Sequence, residues 1–266
     1  MLDARSRELR EAILQTMAAA GRGHLPSALS LVEILRVLYD DILQYDPTRP
    51  TWDERDRCIL SKGHGCLALY VLLADKGFFP FEELARFCTT DALLGGHPEH
   101  GIPGVEAATG SLGHGLAIGV GRALAGRMRH YTYRTFVVMG DGECNEGAVW
   151  EAAMMAAKHK LDSLTVVIDA NGRQSYGSTA TVLDMSPLLE KWNSFGFHAT
   201  TVDGHDTAAL QEIFHRLPLE KGKPSVLVCR TVKGKGFTTT ENDPSWHHKS
   251  KFTPQDAEKL LEELKG

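Results

Sequence analysis

The chain has 266 residues, with 29 Lys+Arg against 34 Asp+Glu and so a formal net charge of −5. Its 42% apolar and 24% charged residues are those of a folded globular protein, which excludes a disordered chain, and the mildly acidic balance gives no electrostatic footprint for nucleic acid. The longest uncharged apolar run near the start, 65–74, is far short of the roughly 20 residues of a membrane-spanning helix, and the charged N-terminal pattern (Arg5, Arg7, Glu8, Arg10, Glu11) is not that of a secretory leader. Leu9, Ala12, Ile13 and Met17 recur at helical spacing and predict a first helix over 6–20. The segment from Gly21 to Ser27 interrupts it, and Ser27 or Ser30 is placed to cap a second helix over 31–43. Asp46-Pro47 and Arg49-Pro50 mark a loop. Cys58-Ile59-Leu60 reads as a short buried strand ending in Ser61-Lys62-Gly63-His64-Gly65, with a helix following through Ala74 and another over 81–87. Residues 89–113 form a long, glycine-rich loop holding His97 and His100, of a length that is usually functional in a compact domain. A helix over 116–128 is rich in small residues, which let another backbone approach closely.

The β-branched run 135–139 ends at Gly140-Asp141-Gly142, and a helix over 147–160 comes next. A second such run, 164–168, ends at Asp169-Ala170-Asn171-Gly172. Further strands are expected over 198–202 and 225–229, around a helix over 206–217, and Thr253-Pro254 opens a last helix over 255–264. Apolar runs buried on both faces and alternating with helices predict an α/β fold, a parallel sheet with helices on both faces. No internal repeat or Ser/Pro linker divides the chain, so 1–266 is expected to be a single domain. Sites in such folds lie at the carboxyl ends of the strands, which here are the loops 61–65, 140–146, 169–175 and 230–236.

The five cysteines (Cys58, Cys66, Cys88, Cys144, Cys229) are odd in number and have no CxxC spacing. That argues against a disulfide framework or thiolate zinc site and fits a reducing cytoplasm. The strongest chemical signal is Gly140-Asp141-Gly142 after one strand and Asn171 after the next. Parallel strands deliver the two side chains side by side, the glycines let a bulky anion approach the backbone, and the helix N-terminus that follows favours negative charge. One carboxylate and one amide suit Mg²⁺, which takes its other ligands from phosphate and water. A plain strand-end turn is the competing reading, and the order strand, GDG, helix, strand, Asn favours the metal and diphosphate. Twelve histidines are present, five of the loop sites being His24, His64, His97, His114 and the pair His247-His248. Such groups donate hydrogen bonds to polarised oxygens or transfer protons near pH 7. A zinc hydrolase is the weaker reading of the same histidines, because HExxH is absent, as is a helical i, i+4 histidine pair.

The run Gly140-Asp141-Gly142-Glu143-Cys144-Asn145-Glu146-Gly147, with Trp150-Glu151-Ala152-Ala153 and Asp169-Ala170-Asn171, resembles the thiamine-diphosphate motif, and the wider pattern resembles transketolase. Gly23-His24, Ser61 to Gly65, Gly96-His97-Pro98-Glu99, Thr109 to Gly113, Lys233-Gly234-Lys235-Gly236 and Trp246-His247 stand in that family's order between residues 21 and 248. The resemblance implies a thiamine diphosphate-binding domain in which Asp141, Asn171 and the backbone carbonyl of Arg173 hold Mg²⁺, or another divalent cation such as Ca²⁺ or Mn²⁺. Ser27, His64, Gly110, Ser111, Leu112, Gly142, Glu146, Asn171, Lys233 and His247 would bind the cofactor, with Glu146 at a subunit contact. His24, His64, His97 and His247 would be the catalytic set facing substrate. Two positions depart from the pattern: Ala170 stands where a second Asn is frequent, and His114 where full-length transketolases usually have Gln, as in split transketolases.

The family's second domain, which binds the aminopyrimidine and supplies its activating glutamate, has no counterpart after residue 248, where only one helix is expected. The chain therefore resembles the N-terminal subunit of a two-chain transketolase. It would move a two-carbon ketol unit between sugars or sugar phosphates in carbohydrate metabolism of the pentose phosphate kind. It would be active only with a separate C-terminal, pyrimidine-binding subunit, in an α2β2 heterotetramer in the cytoplasm, away from nucleic acid and membrane. Helix 116–128 and residues 146–160 are candidates for the buried interface. Subunits of the deoxyxylulose-phosphate-synthase or 2-oxo acid dehydrogenase kind, or a non-catalytic chain that binds Mg-diphosphate, remain alternatives.

Overall fold

The computed structural model describes residues 2–175, 177–247, 249 and 251–265. Five strands, β1 (Arg57–Leu60), β2 (Thr135–Gly140), β3 (Leu164–Ala170), β4 (His198–Asp203) and β5 (Ser225–Arg230), form one parallel sheet in the order β1-β2-β3-β5-β4. Alternate residues serve opposite faces, as the two-residue repeat of a strand requires. Cys58, Leu60, Phe136, Val138, Val167, Leu227 and Cys229 enter one apolar core. Their neighbours Ile59, Val137, Met139, Val166, Ile168, Val226 and Val228 enter the other. This is the predicted parallel sheet with helices on both faces.

Helices α1 (Ala4–Ala20), α2 (Leu25–Leu29), α3 (Val32–Val37), α4 (Cys66–Asp75), α9 (Thr207–His215) and α10 (Pro254–Lys265) build the first core. Helices α5 (His114–Met128), α6 (Gly147–Lys158) and α8 (Leu188–Ser194) build the second; the short α7 (Thr179–Leu183) adds no buried residue. The connection from β4 runs back to an inner strand, so a right-handed crossover carries α9 to the opposite face from α5, α6 and α8. The small residues of α5 do bring a backbone close: a Cβ on Gly119 would collide with Val137 of β2, and one on Gly115 with Ser61. Among the described residues no helix is long and apolar enough to cross a membrane.

Three local expectations change. The segment read as an interruption after α1 contains α2, with Pro26 in its first turn. The next helix starts at Val32 and continues as a π-helical turn over Leu38–Ile42. Neither Ser27 nor Ser30 caps it by side chain; the Ser30 hydroxyl instead donates to the buried Asp169 carboxylate at 2.7 Å. Helices α7 and α8, each under eight residues, occupy a stretch where the sequence pattern predicts no element.

Behind the sheet's site edge lies a buried ion network. Arg10 of α1 donates to both Glu33 oxygens at 2.6 and 3.0 Å, and to the Lys235 carbonyl at 2.9 Å. Glu33 also accepts from His205 Nδ1 at 2.8 Å, and His205 Nε2 accepts from the Val232 amide at 2.9 Å, which fixes the tautomer. Burial pushes the Glu33 carboxyl up, but hydrogen bonds from His205 and Arg10 outweigh it and pull it down to about 2 from its ordinary 4.5. A depressed carboxyl contributes stability above its unfolded pKa that is lost as pH falls towards the folded value. Arg10→Met should therefore lower stability by about 3–5 kcal/mol at pH 7 in urea unfolding, and flatten the loss of stability between about pH 4.5 and 2. An unchanged acid profile would show that the ion pair does not set it.

Candidate functional site

The strand-end loops converge as expected. Lys62 and His64 after β1, Gly140, Asp141, Gly142 and Glu143 after β2, Asn171, Arg173, Gln174 and Ser175 after β3, Lys233 after β5, and His247 surround a cavity of about 230 Å³, with Leu112 at its side. Strand register explains the meeting of Asp141 and Asn171: Gly140 pairs with Asp169, so the residues that follow emerge together. The Asp141 carboxylate accepts from the Gly142 amide at 2.8 Å and the Gly172 amide at 2.7 Å. Burial, and then the neighbouring Asp169 charge, push it up to about 6. Asn171 Oδ1 accepts from the Arg173 amide at 3.0 Å. A Cβ on Gly142 would lie 2.8 Å from the Gln174 side chain, so glycine is needed at this wall.

Two lysines enter this cavity with different fates. Lys62 is 2% exposed and is paired with the fully buried Asp169. Lys233 is 7% exposed, and among the described residues its ammonium has no hydrogen bond or ion pair. Burial, and then the Lys62 charge, push Lys233 down to about 7. A buried carboxylate held only by amides beside a buried, unpaired ammonium is a donor set that fits a divalent cation together with an anion such as a diphosphate.

His64 is shared with a second cavity of about 450 Å³, which also carries His24 and His97. The imidazole of His24 lies 6.0 Å from that of His64, 6.2 Å from that of His97 and 6.2 Å from that of His247; His64 and His247 are 6.0 Å apart. The four predicted histidines thus form one cluster at the junction of the cavities. Burial, and then Lys62, push His64 down to about 2, so it is neutral at ordinary pH. His247 Nε2 lies 3.0 Å from the Ser175 hydroxyl, joining the late segment to the β3 loop. His248 lies outside the described residues.

Other predicted residues sit further out. Gly110 packs under His97, where a Cβ would meet the ring at 3.2 Å. Gly110, Ser111, Leu112 and Glu146 are exposed, with Glu146 against Gly113. His114 is the first residue of α5, its Nδ1 3.1 Å from the Leu112 carbonyl. Ser27 lies beneath the lining, its hydroxyl fully buried with no hydrogen-bond partner among the described residues.

Two carboxylates that shape the site have no role predicted from sequence. Glu143 accepts from the Ser61 hydroxyl, the Gly113 amide at 2.8 Å and the Gly140 amide at 3.2 Å, tying three loops together. Asp169 accepts from Lys62, Ser30, Thr231 and, at 3.2 Å, Asn171 Nδ2. The only local signal is position: Glu143 directly follows the GDG turn, and Asp169 ends an apolar strand.

The fold and this edge define an α/β domain with a polar cavity at the carboxyl ends of its parallel strands. Residues 5–263 match the family described as transketolase, thiamine diphosphate binding domain, and the chain belongs to that family. It is 38% identical over 247 residues to one of the subunits of the apulose-4-phosphate transketolase of Phocaeicola vulgatus, covering 93% of this chain and 88% of that one. It is 39% identical over 241 residues to the 6-deoxy-6-sulfo-D-fructose transketolase subunit SqwG of a Clostridium species, covering 90% and 88%. Among solved structures, the transketolase of Campylobacter jejuni superposes with a TM-score of 0.90 at 27% identity, covering 100% of this chain and 43% of that one. The chain thus spans less than half the length of that transketolase.

Lys62→Met leaves the Asp169 carboxylate buried without its cation, which should cost about 3–5 kcal/mol in urea unfolding at pH 7. The double variant Lys62→Met/Asp169→Asn should recover part of that loss. A double variant no more stable than the single one would show that the uncompensated charge is not the source.

Proposed function

We propose that this chain is the diphosphate-binding subunit of a thiamine diphosphate-dependent transketolase, moving a two-carbon ketol unit from a ketose donor to an aldose acceptor. The observation that carries the reading is the pairing of two cavities through His64: one bears Asp141, Asn171 and Lys233, the other opens onto the histidine cluster. The names of two relatives support it, since both denote transketolase subunits and both refer to a sugar bearing a phosphate or a sulfo group.

In this reading Asp141, Asn171 and the Arg173 carbonyl hold Mg²⁺, or Ca²⁺ or Mn²⁺ in its place. Lys233, Gly142 and the 110–112 turn face the cofactor's diphosphate, and Ser27 supports the lining from beneath. Bound thiamine diphosphate supplies a nucleophilic carbon and an electron sink for cleaving the bond next to a ketose carbonyl. The chain's own residues bind and orient. His64, neutral and too weak a base to take protons near pH 7, hydrogen-bonds oxygen atoms at the junction. His24, His97 and His247 surround the reacting oxygens, orienting them and moving protons.

The remainder of the enzyme would come from a second, pyrimidine-binding chain, in an α2β2 heterotetramer. Exposed apolar side chains support a partner: Met128 at the end of α5 is 74% exposed, and Met154 and Met155 on α6 are 55% and 49% exposed. Glu146, at the start of α6, belongs to this surface. The five cysteines are all unpaired, which suits a reducing cytoplasm.

Calorimetry tests the cofactor assignment. With Mg²⁺ present, thiamine diphosphate should bind the chain together with its partner, and Asp141→Ala should weaken binding at least about ten-fold, since a metal-ligating carboxylate is lost. Unchanged affinity refutes the metal role, and equal binding of ADP would favour a general Mg-diphosphate site. The purified chain should also turn over no ketose until the second chain is added; robust turnover alone would refute the two-chain reading.

A further inference from the structure

We propose that Cys66 and Cys88 form a modification site, which a hydroperoxide converts reversibly to a disulfide that narrows the larger cavity beside the histidine cluster. The inference goes beyond the transfer reaction to its regulation, and only the effect on turnover rests on the transketolase reading.

Both thiols line the cavity of about 450 Å³ that also holds His24, His64 and His97. Cys66, the first residue of α4, is 2% exposed, and its thiol donates to the Gly96 carbonyl at 3.2 Å. A Cβ on Gly96 would lie 3.6 Å from Cys88 Sγ. The two sulfurs thus pack against one residue, and that residue has no side chain to stand between them. The other three cysteines lie elsewhere: Cys58 and Cys229 are buried in one core and Cys144 in the other, and none lines this cavity.

Cys88 is the half-buried member of the pair. Its φ of 57° is in the left-handed region that residues with a Cβ rarely adopt. Its amide donates to the Leu94 carbonyl at 2.8 Å, and its carbonyl accepts from Arg22 Nη2 at 2.8 Å. These bonds hold the residue at the cavity wall with a guanidinium beside it. Burial raises the Cys88 thiol, and the charge and hydrogen bond of Arg22 oppose that rise by favouring the thiolate. Burial raises the more deeply buried Cys66 as well, and among the described residues no cation opposes it. Exposure and the neighbouring cation therefore make Cys88 the attacking thiol and Cys66 the resolving one.

The chemistry balances in two steps. The Cys88 thiolate attacks the hydroperoxide: an S–O bond forms, the O–O bond breaks, and the departing alkoxide or hydroxide takes a proton. The Cys66 thiolate then attacks the Cys88 sulfenic acid: the S–S bond forms, the S–O bond breaks, and the departing hydroxide leaves as water. Two thiols lose two electrons, and the hydroperoxide is reduced to an alcohol (or water) and one further water. In a reducing compartment the pair rests as two thiols, and the disulfide is transient.

A disulfide requires Cβ atoms about 3.8 Å apart. Forming it draws the Cys88 loop onto the start of α4 across Gly96, and the adjacent Gly95 and Gly96 give that backbone its freedom to follow. Gly96 leads directly into His97, whose carbonyl accepts from the Tyr70 hydroxyl at 2.7 Å. The crosslink therefore tightens the wall that carries His97, while the Asp141 side of the site is left untouched.

The test treats the full chain with hydrogen peroxide, alkylates the remaining thiols and digests it without reductant for mass spectrometry. A peptide pair linked through Cys66 and Cys88 should appear, with Cys58, Cys144 and Cys229 alkylated, and dithiothreitol should reverse it. Cys66→Ser should stop at a sulfenic acid on Cys88 that dimedone traps, and Cys88→Ser should form no link. Absence of the linked pair in the unsubstituted chain, or linkage through any other cysteine, overturns the proposal without reliance on a variant. With the second chain added, oxidation should lower ketose turnover at least about ten-fold and leave thiamine diphosphate binding intact, and reduction should restore it. Cys88→Ser should keep its own untreated turnover in peroxide. A linked pair with unchanged turnover overturns the regulatory role. Loss of thiamine diphosphate binding in the reduced chain and its partner overturns the proposed function, whereas the crosslink is judged by mass alone.

Discussion

The Asp169 carboxylate, fully buried at the end of the central strand β3, is where the site edge is held together. Removing a carboxylate from water costs several kcal/mol unless its charge and lone pairs are answered. Here Lys62 answers the charge, while Ser30, Thr231 and Asn171 answer the remaining lone pairs. Those four partners come from four separate places: the loop after β1, the turn between α2 and α3, the loop after β5 and the β3 loop itself. Because none can be withdrawn without leaving a buried charge unsatisfied, one carboxylate fixes the relative positions of the loops that surround the cavity.

That arrangement also divides the acidic labour. A carboxylate has about four lone-pair sites, and those of Asp169 are taken by side chains of this chain. Asp141, one register step away, is answered only by two backbone amides, so it retains the capacity to meet a cation. Glu143 does for the turns what Asp169 does for the loops, bonding the Gly113 and Gly140 amides and the Ser61 hydroxyl. Behind these, Arg10, Glu33 and His205 grip the Val232 amide and the Lys235 carbonyl on either side of Lys233. The cavity wall is thus rigid from behind and polar in front, the preorganisation that binding of a charged ligand requires.

Much of this is legible in the sequence. Four of the five strands are marked by apolar runs, since a strand buried on both faces needs nothing else, while the edge strand β4 is only half-buried and mixed in composition; the GDG and Asn171 turns declare where two strands end. His24, His64 and His97 announce themselves by standing next to glycines in loops, whereas His247 follows Trp246. What is not legible depends on contacts far apart in sequence. Lys62 and Asp169 are 107 positions apart, and His205 and Glu33 are 172 apart, so no local pattern links them. Ser30 reads as a cap because its residue type suits one, yet the buried carboxylate competes for its hydroxyl more strongly than a helix end open to other donors. Helices α7 and α8 leave little periodic signal, because one buries no residue and the other only Trp192.

The two lysines of the smaller cavity share one acid. Like charges within a low-dielectric wall repel, and among the described residues one acidic partner, Asp169, is supplied to them at hydrogen-bond distance. Lys62 takes it, so burial and the neighbouring charge fall on Lys233, whose proton is held loosely at about 7. A protein that needed Lys233 only for its own stability would have done better with an apolar side chain of that volume, since an unpaired buried cation is a net cost. The position makes physical sense when an anion fills the cavity, because the same charge that destabilises the empty wall is then neutralised by the ligand. The strain of an unanswered ammonium, next to a carboxylate that still has lone pairs to give, is what makes this edge of the sheet a place for a charged cofactor rather than a closed core.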